Sequence, residues 1–267
     1  MILVRYDEIA LKGQNQDQFI RQLAKSIEMF FVKYGRPKPK IRKTHGRLII
    51  ETEERPAWFG DIFGICTYSY AQICPATITD IKKAADPIIQ LMNTNTKFRI
   101  SAKRIDKAIT LRSRDVDIEL GAYVVEKSGA KVDLSAYDLE IGVELVNKMA
   151  YVFDSKLKGH GGYPVGSQGK ALLVLDTQID ILAGIMMMKR GCNLMVLNPA
   201  GLDLSPLARY HGSLPLCINE VNKEEIIRLD LQACVCTQRE TFTGLVVLNP
   251  LVGFLENEIE TLKSEYL

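Results

Sequence analysis

One stretch of this 267-residue chain constrains its fold more than any other. Ala171–Leu175 is an unbroken apolar run, Asp180–Arg190 carries a helical pattern, and Leu194–Leu197 is a second apolar run. Two wholly apolar strands on either side of a helix need cover on both faces, which a parallel sheet flanked by helices provides. The stretch reads as a βαβ crossover, so the C-terminal part is expected to be an α/β domain. Further strands are expected near Leu214–Ile218 and Gly244–Leu248, with helices over Lys223–Leu229 and Leu255–Leu267.

The first part of the chain follows another plan. Met1–Tyr6 reads as a short buried strand, and apolar residues from Phe19 to Tyr34 recur at helical spacing. Asn15 and Gln18 resemble a capping box at its start, and Gly35 a stop. Strands are expected at Arg47–Glu51 and near Ile65–Ile73, giving a small α+β unit. A second unit begins at Thr79, expected to cap a helix Asp80–Met92 kinked or restarted at Pro87. A strand Lys97–Ala102 follows, then a helix capped by Ser113, running to about Lys127 and stopped by Gly129. Leu139–Val146 and Lys148–Phe153 read as a hairpin turning at Asn147-Lys148.

Composition excludes several classes. With 47% hydrophobic and 25% charged residues the chain is globular, and it has no run of eighteen apolar residues to cross a membrane. Arg5, Asp7 and Glu8 stand where a secretory signal would be apolar, so the expected location is cytoplasmic and the six cysteines are expected reduced. The net charge of +2 hides an asymmetry: residues 1–50 hold eleven Lys/Arg against four Asp/Glu, and residues 171–267 hold seven against twelve. A polyanion would therefore meet the N-terminal half.

Two cationic groups stand out. Lys33–Arg47 contains seven Lys/Arg, one His and no acid, and Pro37 and Pro39 bar a regular helix, so a basic loop is expected. Its candidates for phosphate are Lys38, Lys40, Arg42, Lys43 and Arg47; the plainer reading is a solvated charged hairpin. Arg99, Lys103, Arg104 and Lys107 lie on and after one strand, and Arg112 and Arg114 flank the next helix start, where free N–H groups also favour an anion. Lys158–Lys170 holds five glycines and a proline and is either a linker or a ligand loop; its Gly169-Lys170 lacks the Ser/Thr of a Walker loop. Cys234-Val-Cys236 has no second pair and no histidine cluster, so no metal site is assigned. No residue pattern identifies a catalytic group.

Four segments, in order, resemble the tRNA 4-thiouridine synthases, the tRNA sulfurtransferase family. They are Val4–Gly13 (VRYDEIALKG), Phe98–Lys107 (FRISAKRIDK), Gly161–Lys170 (GGYPVGSQGK) and Met187–Gly191 (MMKRG), and the likeness runs to about Leu197. The resemblance implies an N-terminal ferredoxin-like domain (1–75), a THUMP RNA-binding domain (76–160) and an ATP-pyrophosphatase-like domain of Rossmann-like α/β topology (161–267). In such enzymes the first two domains hold tRNA, and the third adenylates a uridine so that a cysteine persulfide can deliver sulfur. Lys103, Arg104 and Lys107 fall in the second motif.

The chain departs from that family where its nucleotide loop should be. A Ser-Gly-Gly-x-Asp-Ser sequence is replaced by Asp176-Thr177-Gln178-Ile179-Asp180-Ile181. Thr177 and Gln178 bring side chains where glycines let backbone N–H groups approach phosphate, and Asp176 replaces a hydroxyl donor with a carboxylate. Only Asp180, with Gly166 and Lys170 outside the loop, remains as a weak nucleotide candidate. The expectation is a tRNA-binding protein of the thiolation type with a shortened, non-functional nucleotide domain. The alternative is an active sulfurtransferase, for which ATP and Mg²⁺ would be the cofactors. The expected partner is tRNA, with no membrane, and a homodimer or a catalytic partner protein is compatible with this reading.

Overall fold

The computed structural model describes residues 1–213, 215–239, 241–242 and 244–267. Its elements begin with β1 (Ile2–Arg5), α1 (Gln16–Lys33), β2 (Lys40–Thr44), β3 (Arg47–Glu51), β4 (Thr67–Tyr70) and β5 (Gln72–Pro75). Then come α2 (Ile78–Ile89), β6 (Lys97–Arg104), α3 (Ser113–Ser128), β7 (Lys131–Val132), β8 (Leu139–Val146), β9 (Met149–Phe153) and β10 (Leu157–Lys158). The remainder is β11 (Lys170–Val174), α4 (Gln178–Lys189), β12 (Asn193–Leu197), α5 (Ser205–Tyr210) and β13 (Leu216–Ile218). It closes with α6 (Lys223–Leu229), β14 (Ala233–Val235), β15 (Val246–Leu248) and α7 (Glu256–Tyr266). Among the described residues no helix is long and apolar enough to cross a membrane.

The chain forms two compact units. The first comprises Met1–Arg5, Pro39–Ala57 and Thr67–Lys158. It contains an antiparallel sheet of order β10-β4-β1-β3-β2 and a mixed sheet of order β5-β9-β8-β6-β7. On the mixed sheet Phe98 of β6 and Ile141, Val143 and Leu145 of β8 pack with Ile81 and Ile88 of α2 and Val116, Leu120 and Val124 of α3. Leu3 and Ile49 of the antiparallel sheet pack with Val146, Tyr151 and Phe153. The expected single strand near Ile65–Ile73 is two strands, because the chain leaves one sheet at Tyr70 and enters the other at Gln72.

The second unit comprises Tyr6–Lys38, Trp58–Cys66 and Gly159–Leu267. Its five strands are parallel and ordered β13-β12-β11-β14-β15. The packing of β11 explains why its sequence is apolar throughout. Ala171, Leu173 and Leu175 pack on one side with Ile181, Ile185 and Met188 of α4, while Leu172 and Val174 pack on the other with Leu229 at the end of α6. This is the doubly covered sheet expected from the sequence.

Local signals translate unevenly into structure. The turn Asn147-Lys148 is present, with both residues at positive φ as a type I′ hairpin requires. Gly35, at φ +70°, ends α1 with Arg36 N donating to Phe31 O and Gly35 N to Val32 O. Three caps differ from expectation. Thr77, not Thr79, caps α2 by accepting from Asp80 N; Arg112, not Ser113, precedes α3; and Asn15 makes no side-chain cap because a 3₁₀ turn already leads into α1. α2 runs through Pro87 and ends at Ile89. Within the expected basic loop Lys40–Thr44 form strand β2, hairpinned to β3 around Gly46 at φ +64°. The strand expected from Leu214 is seen as Leu216–Ile218; Leu214 lies outside the described residues.

Candidate functional site

In an open parallel sheet, ligands bind at the carboxyl ends of strands where the strand order reverses. Here that crevice lies between β11 and β14, since the chain passes from β11 outward to β12 and β13 and returns to β14. The loop after β11 leads into α4, whose N-terminus would favour an anion. The crevice supplies its own. Asp180 is 0% exposed, and its Oδ2 accepts from Asp176 N at 3.1 Å, Thr177 N at 2.8 Å and Thr177 Oγ1 at 3.0 Å. Its Oδ1 accepts from Thr237 N at 2.8 Å and Thr237 Oγ1 at 2.6 Å. One carboxylate thus takes donors from both sides of the crevice.

Asp176 is engaged as well. Arg239 donates to it through Nε at 2.6 Å and Nη2 at 2.7 Å, and this pairing holds the Asp176 carboxyl below its ordinary range. Nearby Cys234 and Cys236 are buried, and burial pushes the Cys234 thiol up to about 12. Such a thiol is neutral at physiological pH and a poor nucleophile. No group of histidines, cysteines and acids among the described residues could hold a metal ion. The amides of Asp176, Thr177 and Thr237 are thus bonded to Asp180, and the Asp176–Arg239 ion pair stands beside them.

The glycine-rich segment is hydrogen-bonded to the end of α4. Tyr163 N donates to Lys189 O at 2.9 Å, and Gly166 N and Gln168 N donate to Gly191 O at 2.8 and 3.0 Å. It thereby satisfies carbonyls at the end of α4, joining two of the sequence motifs. Gly162, at φ +72°, is required there because a Cβ would strike the Lys189 carbonyl. Lys12, from the first motif, places its ammonium 4.2 Å from the Tyr163 ring centroid. Lys170 Nζ donates to Leu229 O at 3.2 Å. Gly166, Lys170 and Asp180 therefore all have internal partners.

The basic residues divide into two classes. Lys40 and Arg42 pair with Glu51 at 3.7 and 2.6 Å, and Lys38 with Glu28 at 3.6 Å. Arg47 is tied more firmly: its Nε donates to Glu144 Oε2 at 2.7 Å while Arg5 Nε donates to Oε1 at 2.7 Å. Burial alone would raise the Glu144 carboxyl, but the two guanidinium groups outweigh it and hold it below its ordinary value. Arg99 is bound to Glu140, which also takes Lys156. Lys43 is exposed at the outer edge of β2. Lys38, Lys40, Arg42 and Arg47 of this acid-free run thus pair with Glu28, Glu51 and Glu144 from elsewhere in the chain, Glu144 being shared with Arg5.

Lys103, Lys107, Arg112 and Arg114 are exposed and make no ion pair among the described residues, and Arg104 donates only to Ile109 O. Asp117 of α3 accepts from Ala102 N at 2.9 Å, which fixes the start of α3 beside the end of β6. The fold therefore brings Arg112 and Arg114 to the same end as Lys103. Thr237, Arg239 and Glu144 carried no sequence signal, since each finds its acid or base tens of residues away.

Comparison with known proteins agrees with this architecture. Residues 1–69 match the ThiI ferredoxin-like domain and residues 75–153 the THUMP domain. A probable tRNA sulfurtransferase of Thermococcus kodakarensis is 34% identical over 250 residues, covering 85% of this chain and 66% of the relative. One from Moorella thermoacetica is 36% identical, covering 74% and 51%. The chain spans between about half and two thirds of the length of these relatives. Among solved structures, PH1313 from Pyrococcus horikoshii Ot3 is 26% identical with a TM-score of 0.87, covering 99% of this chain and 98% of its own. A 4-thiouridine synthetase solved as an RNA complex with bound ATP shares the fold, with a TM-score of 0.77 at 23% identity over 98% of this chain and 84% of its own. Ferredoxin-like and THUMP domains followed by a parallel α/β domain define a THUMP-type protein. Within that class the chain belongs to the tRNA sulfurtransferase family.

Proposed function

We propose that this chain binds tRNA for a thiolation-type modification and that its nucleotide crevice does not take ATP. The curated relatives are named as probable tRNA sulfurtransferases, which supports tRNA as the substrate class. The single observation that carries the second half is the Asp180 carboxylate bonded to the amides of Asp176, Thr177 and Thr237. A triphosphate would have to displace that buried anion and also meet the Asp176 carboxylate, which repels it. On this reading Lys103, Arg104, Lys107, Arg112 and Arg114 contact RNA phosphates, while the paired cations of β2 and β3 contribute less. Any sulfur chemistry then needs a catalytic partner protein.

The test measures both ligands on one preparation: calorimetry for ATP with Mg²⁺, and filter retention across a salt series for tRNA. Retention with a steep salt slope, and no heat from ATP, is the expected pair of results. Micromolar ATP binding would overturn the crevice argument and require an assay for ATP-dependent sulfur incorporation. Absence of tRNA retention would overturn the first half.

A further inference from the structure

α3 is apolar on two sides. Val116, Leu120 and Val124 enter the core of the first unit, whereas Ile118, Gly121 and Val125 line a groove of about 540 Å³ closed on its far wall by Val132 and Leu134. Ile118 is 59% exposed and Leu134 70%, with Val125 and Val132 exposed beside them. Single exposed hydrophobics are ordinary, but four around one groove are not. Gly121 keeps the floor open, since an added Cβ would find only Ile100, at 3.9 Å. On the open side β7 is a two-residue edge strand, so no neighbouring strand covers the groove.

The charges around it select the occupant. The ionisable side chains lining the groove are Asp117 and Glu126, with no Lys or Arg among its lining. Asp115 lies on the same side of the helix as Glu126, while Glu119 between them is paired with Lys82 at 3.0 Å. The carboxylates that line the groove disfavour RNA phosphate within it. We propose that the groove docks an apolar segment with Lys/Arg flanks from another protein. The cations of β6 and the start of α3 leave this groove to a protein ligand, and the inference stands whether or not tRNA is bound.

The test uses the full chain and a labelled amphipathic Leu/Lys helical peptide, with a Leu/Glu peptide of equal length as control, read by fluorescence anisotropy at physiological salt. The Leu/Lys peptide is expected to bind at least about tenfold more tightly than its control. Ile118→Asn with Val125→Asn should lower that affinity about tenfold or more, and Asp115→Lys with Glu126→Lys should reverse the preference. All four positions are on the surface, and unchanged melting curves exclude misfolding as the cause. Equal binding of both peptides, or affinities indifferent to the Asn pair, would overturn the proposal. So would a dimer in sedimentation that the Asn pair dissolves, since a second copy would then be the occupant.

Discussion

Asp180 reaches across the carboxyl edge of the parallel sheet to Thr237, accepting from its amide at 2.8 Å and its hydroxyl at 2.6 Å. The two residues stand on opposite sides of the point where ligands enter folds of this type. A side chain that joins them is a structural tie at the place where a ligand would need an opening.

Asp180→Ala removes this tie and the cap of α4 together. Loss of a cap and of charge-assisted bonds that leave buried amides unpaired predicts destabilisation of about 3 kcal/mol, measured by denaturant unfolding. Removing Arg239 is expected to cost no more than about 1 kcal/mol, because that pair is partly solvated. A smaller loss for Asp180→Ala than for Arg239→Ala would contradict the geometry.

Glu144 predicts an acid-sensitive first unit. Its folded carboxyl lies below the ordinary value, so its stabilisation is complete above the unfolded pKa, near 4.3, and is lost as pH falls through the lower folded value. Glu144→Gln removes the anion between Arg5 and Arg47 and should cost about 3–5 kcal/mol at neutral pH, with a flatter stability profile between about pH 5 and pH 3. Melting curves across that range read both.

The free and paired cations should separate on tRNA. Lys103→Glu with Lys107→Glu is expected to weaken retention by more than about tenfold and to lower the salt slope by nearly one unit for each phosphate no longer neutralised. Arg42→Ala, which breaks a pair with Glu51, should change it by less than about twofold. Similar effects from both would show that ion pairing does not sort these residues.

Thiol reactivity gives a fourth check. Cys217 is exposed, while Cys74 and Cys234 are buried with thiols pushed to about 11 and about 12. Alkylation of the native protein near pH 8, followed by peptide mass spectrometry, should label Cys217 first and leave Cys74 and Cys234 until denaturant is added. Early labelling of Cys234 would place it at an accessible surface.

The parts of the fold that can be read in the sequence are those whose cause is local. The apolar strands around α4 and the Asn147-Lys148 turn are legible because burial on two faces and positive φ restrict which residues serve. Helix starts are harder, since Thr77 and Thr79 both carry a hydroxyl within a turn of Asp80 and only the backbone conformation at Thr77 decides between them. The site is least legible. Arg47 meets its carboxylate 97 residues away, and Asp180 meets Thr237 57 residues away. A run of cations with no acid among them therefore reads as free in the sequence although tertiary pairing claims much of it.

The two units are interleaved along the chain, and this bears on how the protein is made. Tyr6–Lys38, with α1, belongs to the same unit as Gly159–Leu267. That segment meets Trp58 soon after it is made, but its contacts with Tyr163 and Val165 wait until more than half of the 267 residues have been synthesised. Closing so long a connection carries an entropic cost and slows folding. No single cut of the polypeptide separates the units: removing residues ahead of Gly159 takes α1 from the parallel sheet's own unit, so each must be completed by a chain that returns to it.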